Sequence, residues 1–200
     1  LVSGVKQTIA YNTIYDAPHT MIQLVGANDT LIEHNEIYNG VQKASDIGAI
    51  YQGRKVYELG TTIRYNLFHD IGNKNGGYGQ QSIFVDDGGA GAYIYGNIFD
   101  RGTLPPSQGG KSKTSHVIKT NSGQYNCIKN NIFIDAPSVF NFLDWSIITD
   151  PIEQVDWWLW VNDAGRKDNK IWETLTNTGW GSDTWIDHYK DTNWETLSTM

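Results

Sequence analysis

Residues 63–68 read IRYNLF, and the same pattern, Ile-x-x-Asn-x-(Ile or Phe), occurs four more times along the chain. The other copies read IAYNTI, IEHNEI, IYGNIF and IKNNIF, and the five asparagines are Asn12, Asn35, Asn66, Asn97 and Asn131. Their spacings of 23, 31, 31 and 34 residues fit no helical heptad, and the segments are short, β-rich and broken by Gly and Asn. The repeat therefore indicates a stack of short strands.

The repeated asparagine has a physical role in such a stack. An Asn tolerates the left-handed backbone region, and its amide can bond neighbouring backbone groups. We expect Asn35, Asn66, Asn97 and Asn131 to form a ladder at one corner, with the flanking Ile and Phe stacked inside. A further apolar strand lies between consecutive motifs, as in GAIYQG, SIFVDDG and SHVIKTNSG. About three strands per repeat predict a triangular solenoid.

The pattern resembles the right-handed parallel β-helix of pectate lyases and many polysaccharide-degrading enzymes. The resemblance covers residues 9–135 and implies an all-β solenoid of about five coils. The later spacings between repeated asparagines, 31 to 34 residues, exceed the first spacing of 23 and leave room for loops. The segments GNKNGGYGQQ and RGTLPPSQGGKSKT have the composition of loops. We assign residues 1–144 to the solenoid, as a fragment of a longer one, because the chain opens directly on LVSGV.

Composition limits the classes of partner. The chain has 200 residues with 22 acidic and 15 basic side chains, a formal net charge of −7. That charge disfavours nucleic acid and anionic membrane surfaces, and no transmembrane run is present. Neutral substrates, or acidic ones bound with the help of a cation, remain. The single cysteine, Cys127, excludes an internal disulfide and is expected to be a buried structural thiol.

The last part of the chain has a different composition. All eight tryptophans fall in residues 145–200, and DNKIWETL and TNWETLSTM read as short helices. So many Trp side chains suit either a sugar-stacking platform or the core of an appendage. We expect a Trp-rich, partly helical appendage that packs on the solenoid, since a solenoid has open ends to cover.

Two adjacent carboxylates follow an apolar strand in IFVDDGGAG, residues 83–91. Asp-Gly is common turn chemistry, so Asp86 and Asp87 could mark no more than a turn. Asp46, however, precedes the corresponding strand of the previous repeat, and 41 residues separate it from Asp87, a little over one long coil. Equivalent positions in neighbouring coils lie side by side. The spacing therefore predicts carboxyl groups gathered on one groove.

Paired carboxylates are the groups that glycoside hydrolysis needs. One protonates the departing oxygen, and the other acts as nucleophile or as base for water. Different local environments can keep one protonated while its partner ionises. In this interpretation one of the adjacent aspartates faces the groove, and the other bonds backbone or orients its neighbour.

SDIGAIYQGR, VDDGGAGAYIYGNIF and NNIF resemble segments of the β-helical glycoside hydrolases of family 141, which include fucosidase and xylanase activities. The resemblance implies catalytic roles for Asp46 and Asp87, with Asp86 beside them, and an extracellular or periplasmic enzyme of polysaccharide degradation. The similar stretch APHTMIQLVGANDTLIEHNEI would bring His19 to the same face. The chain departs from the family at residues 120–126, where TNSGQYN replaces a Gly-Gly-Arg-Asp-Asn run.

Four side chains are candidates for binding the carbohydrate substrate: His19, Tyr51, Arg54 and Lys119. For His19 and Arg54 a plain loop position is an equal alternative, and His116 is expected to be structural. No cofactor or metal is expected for a hydrolase.

Two other functions stay open. A calcium-dependent polysaccharide lyase on the same solenoid would use Asp46, Asp86 and Asp87 for calcium, with Lys119 or Arg54 as base. A non-catalytic β-helix that binds glycan would scatter its aspartates. We expect the hydrolase, because acids dominate the predicted groove and few cations are available to hold a polyanion.

Overall fold

A computed structural model describes residues 1–53, 58–73, 79–102, 115–121, 125–136 and 138–143. These residues form no helix, and their strands lie in three sheets in which every pairing is parallel. The prediction of an all-β, solenoid-like stack of parallel strands is therefore confirmed for the described part of the chain.

In chain order the strands are β1 Val2–Val5, β2 Thr8–Ala10, β3 Thr13–Tyr15, β4 Ile22–Asn28, β5 Leu31–Glu33, β6 Glu36–Tyr38, β7 Ile47–Gly53, β8 Thr62–Arg64, β9 Leu67–His69, β10 Gln80–Asp86, β11 Tyr93–Tyr95, β12 Ile98–Asp100, β13 Ile118–Asn121, β14 Cys127–Lys129, β15 Ile132–Ile134 and β16 Phe140–Leu143. Sheet I has the order β1-β4-β7-β10-β13-β16, sheet II the order β14-β11-β8-β5-β2, and sheet III the order β15-β12-β9-β6-β3. The chain visits sheets I, II and III in turn, so each strand pairs with the third strand after it.

The repeated asparagines form the predicted ladder at the corner between sheets II and III. Asn66 donates from both its backbone N and its side-chain Nδ2 to Oδ1 of Asn97, each across 3.0 Å. Its Nδ2 also donates to the carbonyl of Ile32, at 2.9 Å. The same pair of bonds links each asparagine to the next along the row from Asn12 to Asn131.

The left-handed residue at this corner is not the asparagine, as the sequence had suggested, but the residue before it. The left-handed residues are Tyr11, His34, Tyr65, Gly96 and Asn130, with φ between 50° and 70°. Their backbone turns the chain, and the Asn that follows bonds the next layer with its amide. The hydrogen bonds of the ladder therefore offset a conformation that costs a non-glycine residue roughly 1–2 kcal/mol.

The interior consists of stacked identical or similar side chains, because parallel pairing in register puts equivalent residues above one another. One row is made only of isoleucines: Ile9, Ile32, Ile63, Ile94 and Ile128. In a second row the rings of Phe68, Phe99 and Phe133 stack at centroid distances of 4.8 and 5.1 Å. Burying each such side chain contributes about 1.5–3 kcal/mol.

Other sequence predictions concern residues outside the described ranges or differ from the structure. The Trp-rich region 145–200 and most of the two predicted loops lie outside the described residues, although β10 already begins at Gln80 within the first of those loops. Cys127 is partly buried on β14 rather than enclosed. The described part of the chain contains no helix that is long and apolar enough to span a membrane.

Candidate functional site

Strand β7 is bent near its start, and the bend places Asp46. Ala49 and Ile50 are consecutive, yet both are buried in the core, which interrupts the alternation of a regular strand. Gly48 permits this bend, because a Cβ there would lie 2.5 Å from the carbonyl oxygen of Ile50 and 2.8 Å from the backbone nitrogen of Phe84. Those are backbone atoms that cannot swing aside.

Asp46 meets a lysine from two strands away. Nζ of Lys119 lies 3.6 Å from Oδ1 of Asp46 and 4.5 Å from the centroid of the Phe84 ring. Lys119 shares a row with Phe84 and Tyr51, and in a straight strand Asp46 would lie about 16 Å from Tyr51. The contact therefore depends on the bend in β7. It holds the ammonium group between a carboxylate and an aromatic face.

The backbone around Asp46 is equally specific. Asp46 has a φ of 53°, in the left-handed region where Asp is one of the more tolerated residues. Gly79 packs against it, with a φ of 65°, and a Cβ on Gly79 would lie 3.2 Å from Cα of Asp46. The Asp46 side chain is 53% exposed, so its carboxylate reaches the outer surface of sheet I.

Asp86 ends β10 with a carboxylate that accepts three hydrogen bonds. Tyr51 donates its hydroxyl to Oδ2 across 2.8 Å. Oδ1 accepts from Nδ2 of Asn121 across 2.6 Å and from the backbone N of Asp87 across 2.9 Å. The residue is buried. Its donors come from β7, from β13 and from the following turn, so the carboxylate joins three parts of the site.

The charge state of Asp86 is set by opposing influences. Burial raises the pKa of the Asp86 carboxyl above its ordinary value, and the neighbouring charge of Asp87 raises it further. The hydrogen bonds from Tyr51 and Asn121 lower this pKa, and the charge of Asp46 raises it. The charge of Asp46, at the start of β7, is the smallest of these influences on the carboxyl at the end of β10.

Asp87 lies in a tight turn, so the turn interpretation of DDGG is correct as far as the backbone goes. Asp87 and Gly88 have φ values of 45° and 80°, the two positive values of a type I′ turn. The turn is closed by a hydrogen bond from the backbone N of Gly89 to the carbonyl of Asp86, at 2.9 Å. The turn adjoins Asp86, which accepts a hydrogen bond from the backbone N of Asp87, so a turn and a site are compatible.

The remaining predicted residues divide into three groups. Tyr51 and Lys119 join the aspartates, through the contacts above. His19 is exposed in the segment before β4, and the adjacent Thr20 bonds the carbonyl of Ala49 at 3.2 Å, but no contact of His19 with the aspartates is found in the described part. Arg54 lies outside the described residues.

His116 bonds Oγ of Ser138 through Nδ1, across 2.6 Å. Burial lowers the pKa of His116 below its ordinary value, and the charge of Lys119 lowers it further. This histidine thus has a structural partner, as expected, and lies within electrostatic range of the site.

Two residues of the site were not predicted. Asn121 binds Asp86, and Phe84 underlies Lys119. The sequence did contain a signal, because both lie at positions of the repeat equivalent to predicted ones. Phe84 is in register with Tyr51, and Asn121 ends β13 directly after Thr120, the partner of Val85.

The three aspartates do not form a metal site by themselves. Within the described ranges, no group of three or more His, Cys, Asp or Glu side chains has an arrangement that could hold a metal ion. The carboxylate of Asp86 instead has its oxygens turned to protein donors.

No protein-family model, curated protein or solved structure matches this chain.

Proposed function

We propose that this protein is a glycoside hydrolase that cleaves a plant or microbial polysaccharide or oligosaccharide with two carboxylates. The scaffold in this proposal is a right-handed parallel β-helix of about five coils, with residues 145–200 packed on it. The likeness to family 141 and an extracellular or periplasmic location belong to the same proposal. One observation carries it: Lys119 of β13 reaches Asp46, at the start of β7, across 3.6 Å, so side chains from separate layers meet on the sheet that also carries Asp86 and, directly after it, Asp87. The charge of Asp46 is also among the smaller influences that raise the pKa of Asp86.

The proposed mechanism gives Asp46 and Asp87 the reacting carboxylates. One protonates the departing glycosidic oxygen, and the other attacks the anomeric carbon or activates water. Asp86 acts as their support, since it is buried and its three hydrogen bonds come from protein donors. One of those donors is the backbone N of Asp87, so Asp86 also fixes the turn that carries its neighbour.

The charges of the groove favour a substrate without carboxylates. Asp46, Asp86 and Asp87 contribute three carboxyl groups, and the cation that contacts them among the described residues, Lys119, has its Nζ 3.6 Å from Asp46. A polyanionic uronate would therefore meet more repulsion than attraction. Lys119 and Tyr51 are proposed to contact sugar hydroxyls.

A product assay tests the proposal. The protein is incubated with neutral polysaccharides and, separately, with polygalacturonate, in the presence and absence of EDTA. Hydrolysis predicts new reducing ends from a neutral glycan, unaffected by EDTA and without ultraviolet absorbance. Unsaturated, ultraviolet-absorbing products that disappear with EDTA would replace the hydrolase with the calcium-dependent lyase. Binding without any product would leave only the glycan-binding β-helix.

A further inference from the structure

The segment that leads into Asp46, residues 40–46, is held in a strained conformation. Val41 has a φ of 58° and Asp46 a φ of 53°. A positive φ is rare for any residue with a side chain and is an outlier for a β-branched one such as Val41. Val41 is also fully buried, so its conformation is enforced by surrounding contacts.

A buried glutamine on the next strand supplies those contacts. Nε2 of Gln80 donates to the carbonyl of Val41 at 2.9 Å and to the carbonyl of Ala44 at 2.7 Å. Oε1 of Gln80 accepts from the backbone N of Asn73 at 2.9 Å. The side chain thus has a partner for each of its polar atoms, and two of its bonds end on the segment that carries Asp46.

The other side of the segment is bonded to the previous layer of the solenoid. The backbone N atoms of Lys43 and Ala44 both donate to the carbonyl of Pro18, at 2.9 and 3.1 Å. The segment is therefore held from below by Pro18 and from above by Gln80. Pro18 holds the segment through backbone groups, whereas Gln80 holds it through a side chain, so a point substitution can remove the contact from above. The side chain of Gln42, within the segment, bonds the carbonyls of Gly40 and Gly72 and leaves Val41 and Ala44 to Gln80.

We propose that Gln80 is a positioning residue that fixes Asp46 in the groove. It acts through the carbonyls of Val41 and Ala44 and touches neither substrate nor the reacting carboxylates. The proposal goes beyond the hydrolase assignment in naming how Asp46 is oriented, and its kinetic consequence rests on that assignment. A displacement of a catalytic group by about 1 Å can cost two orders of magnitude in rate.

The test compares two buried glutamines. Gln80→Met removes the three side-chain hydrogen bonds at nearly constant volume. Gln52→Met is the matched control, because Gln52 is also buried and donates through Nε2 to two backbone carbonyls, those of Glu58 and Ala90, at the other end of β7. Gln80→Glu retains an acceptor for Asn73 but cannot donate to Val41 or Ala44.

The first readout needs no activity. Amide hydrogen exchange and ¹³C-carboxyl NMR follow residues 43–47 and the carboxyl of Asp46. We expect Gln80→Met and Gln80→Glu to raise exchange in this segment by about 10-fold or more and to shift the Asp46 carboxyl resonance. Gln52→Met should leave both unchanged. An unchanged segment 43–47 in a folded Gln80→Met protein would overturn the positioning role, whatever the protein hydrolyses.

The second readout is kinetic. With a glycan that the wild type hydrolyses, both Gln80 variants should lose about 10-fold to 100-fold in kcat with little change in KM, and Gln52→Met should lose neither. Equal losses in Gln80→Met and Gln52→Met would reduce Gln80 to an ordinary structural residue. If the wild type hydrolyses no glycan, the hydrolase proposal fails by itself, and the exchange experiment still decides the role of Gln80.

Discussion

The hydroxyl of Tyr51 donates a hydrogen bond to Oδ2 of Asp86 across 2.8 Å, from the neighbouring strand of sheet I. This bond favours the ionised carboxylate, whereas burial favours the neutral acid. The two effects shift the pKa of the Asp86 carboxyl in opposite directions. Tyr51 therefore belongs to the electrostatics of the site and not only to its surface.

Removing this hydroxyl should raise the pKa of Asp86. In Tyr51→Phe the bond that lowers the pKa is lost, while burial and the charges of Asp87 and Asp46 remain. A ¹³C-carboxyl NMR titration measures the change, and Tyr93→Phe, on the outer face of sheet II, is the control. A titration of Asp86 that is the same in Tyr51→Phe as in the wild type would contradict the assigned bond.

Asp86 should also make stability fall as pH rises through the acid range. Its pKa is raised in the folded protein above 3.8, so the folded state binds the proton more tightly than the unfolded state. The free energy of unfolding then decreases from about pH 3.8 upward until the folded carboxyl has titrated. Urea melts between pH 3 and 7 should show that Asp86→Asn removes this decrease.

The pKa of Asp70 is shifted in the opposite direction to that of Asp86, so Asp70 serves as a comparison. The hydrogen bond from Arg101 at 2.8 Å, followed by that from His69, lowers the pKa of Asp70. Its contribution to stability is present above its unfolded pKa and is lost as pH falls through the lowered value. Asp70→Asn and Asp86→Asn should therefore change the pH dependence in opposite directions, and a change of the same sign in both would refute the assignment of one of them.

The sequence predicted the ladder because its physical cause repeats. Each ladder asparagine meets the same neighbours in every layer, so five copies of one motif identify the corner. The sequence predicts the left-handed conformation at the asparagine itself. In the structure the ladder uses the amide of Asn, and the residue before it adopts that conformation. In the last copy the left-handed residue, Asn130, is itself an asparagine next to the ladder residue Asn131, so residue type alone does not separate the two positions.

The bend in β7 could not be predicted from the sequence, because it depends on contacts between residues far apart along the chain. In the sequence Gly48 is recognisable only as a glycine within a predicted strand. The residues that would crowd a side chain there include Phe84, 36 residues later. The contact of Lys119 with Asp46 depends on the same bend. Contacts of this kind depend on the register of neighbouring layers, which loops of unequal length do not reveal.

Replacing a central ladder residue should lower stability without changing the surface. Asn66 is buried and exchanges hydrogen bonds with both Asn35 and Asn97. Asn66→Leu should reduce the free energy of unfolding by roughly 1–3 kcal/mol, because backbone groups at the corner lose their partners. Gln7→Leu, the loss of an exposed amide, should have a much smaller effect in the same chemical melt. If Asn66→Leu and the wild type had the same free energy of unfolding, the ladder would not contribute to stability.

Gly48→Ala should disturb both the fold and the site. The new Cβ would meet backbone atoms of Ile50 and Phe84 at 2.5 and 2.8 Å, closer than real Cβ contacts. We expect a loss of roughly 1–3 kcal/mol, typical of overpacking, as β7 shifts. The NMR signals of Asp46 and of the Lys119 ammonium group should move with it. A variant as stable as the wild type, with these signals in place, would show that β7 does not need a glycine at its bend.

The catalytic prediction concerns Asp46 and Asp87. On a glycan that the wild type hydrolyses, Asp46→Asn and Asp87→Asn should each lower kcat about 100-fold or more, because each replaces a reacting carboxylate with an amide that neither transfers a proton nor attacks carbon. Both side chains lie at the surface or in a turn, so the thermal melts should change little. Asp16→Asn, at an exposed corner beside sheet III, removes the same charge outside the site and should keep full activity. Azide added to the inactive variants separates the two roles, since an external nucleophile replaces a missing nucleophile or base more readily than a missing acid. Full activity in both variants would reject the two-carboxylate mechanism and leave Asp87 as a turn residue.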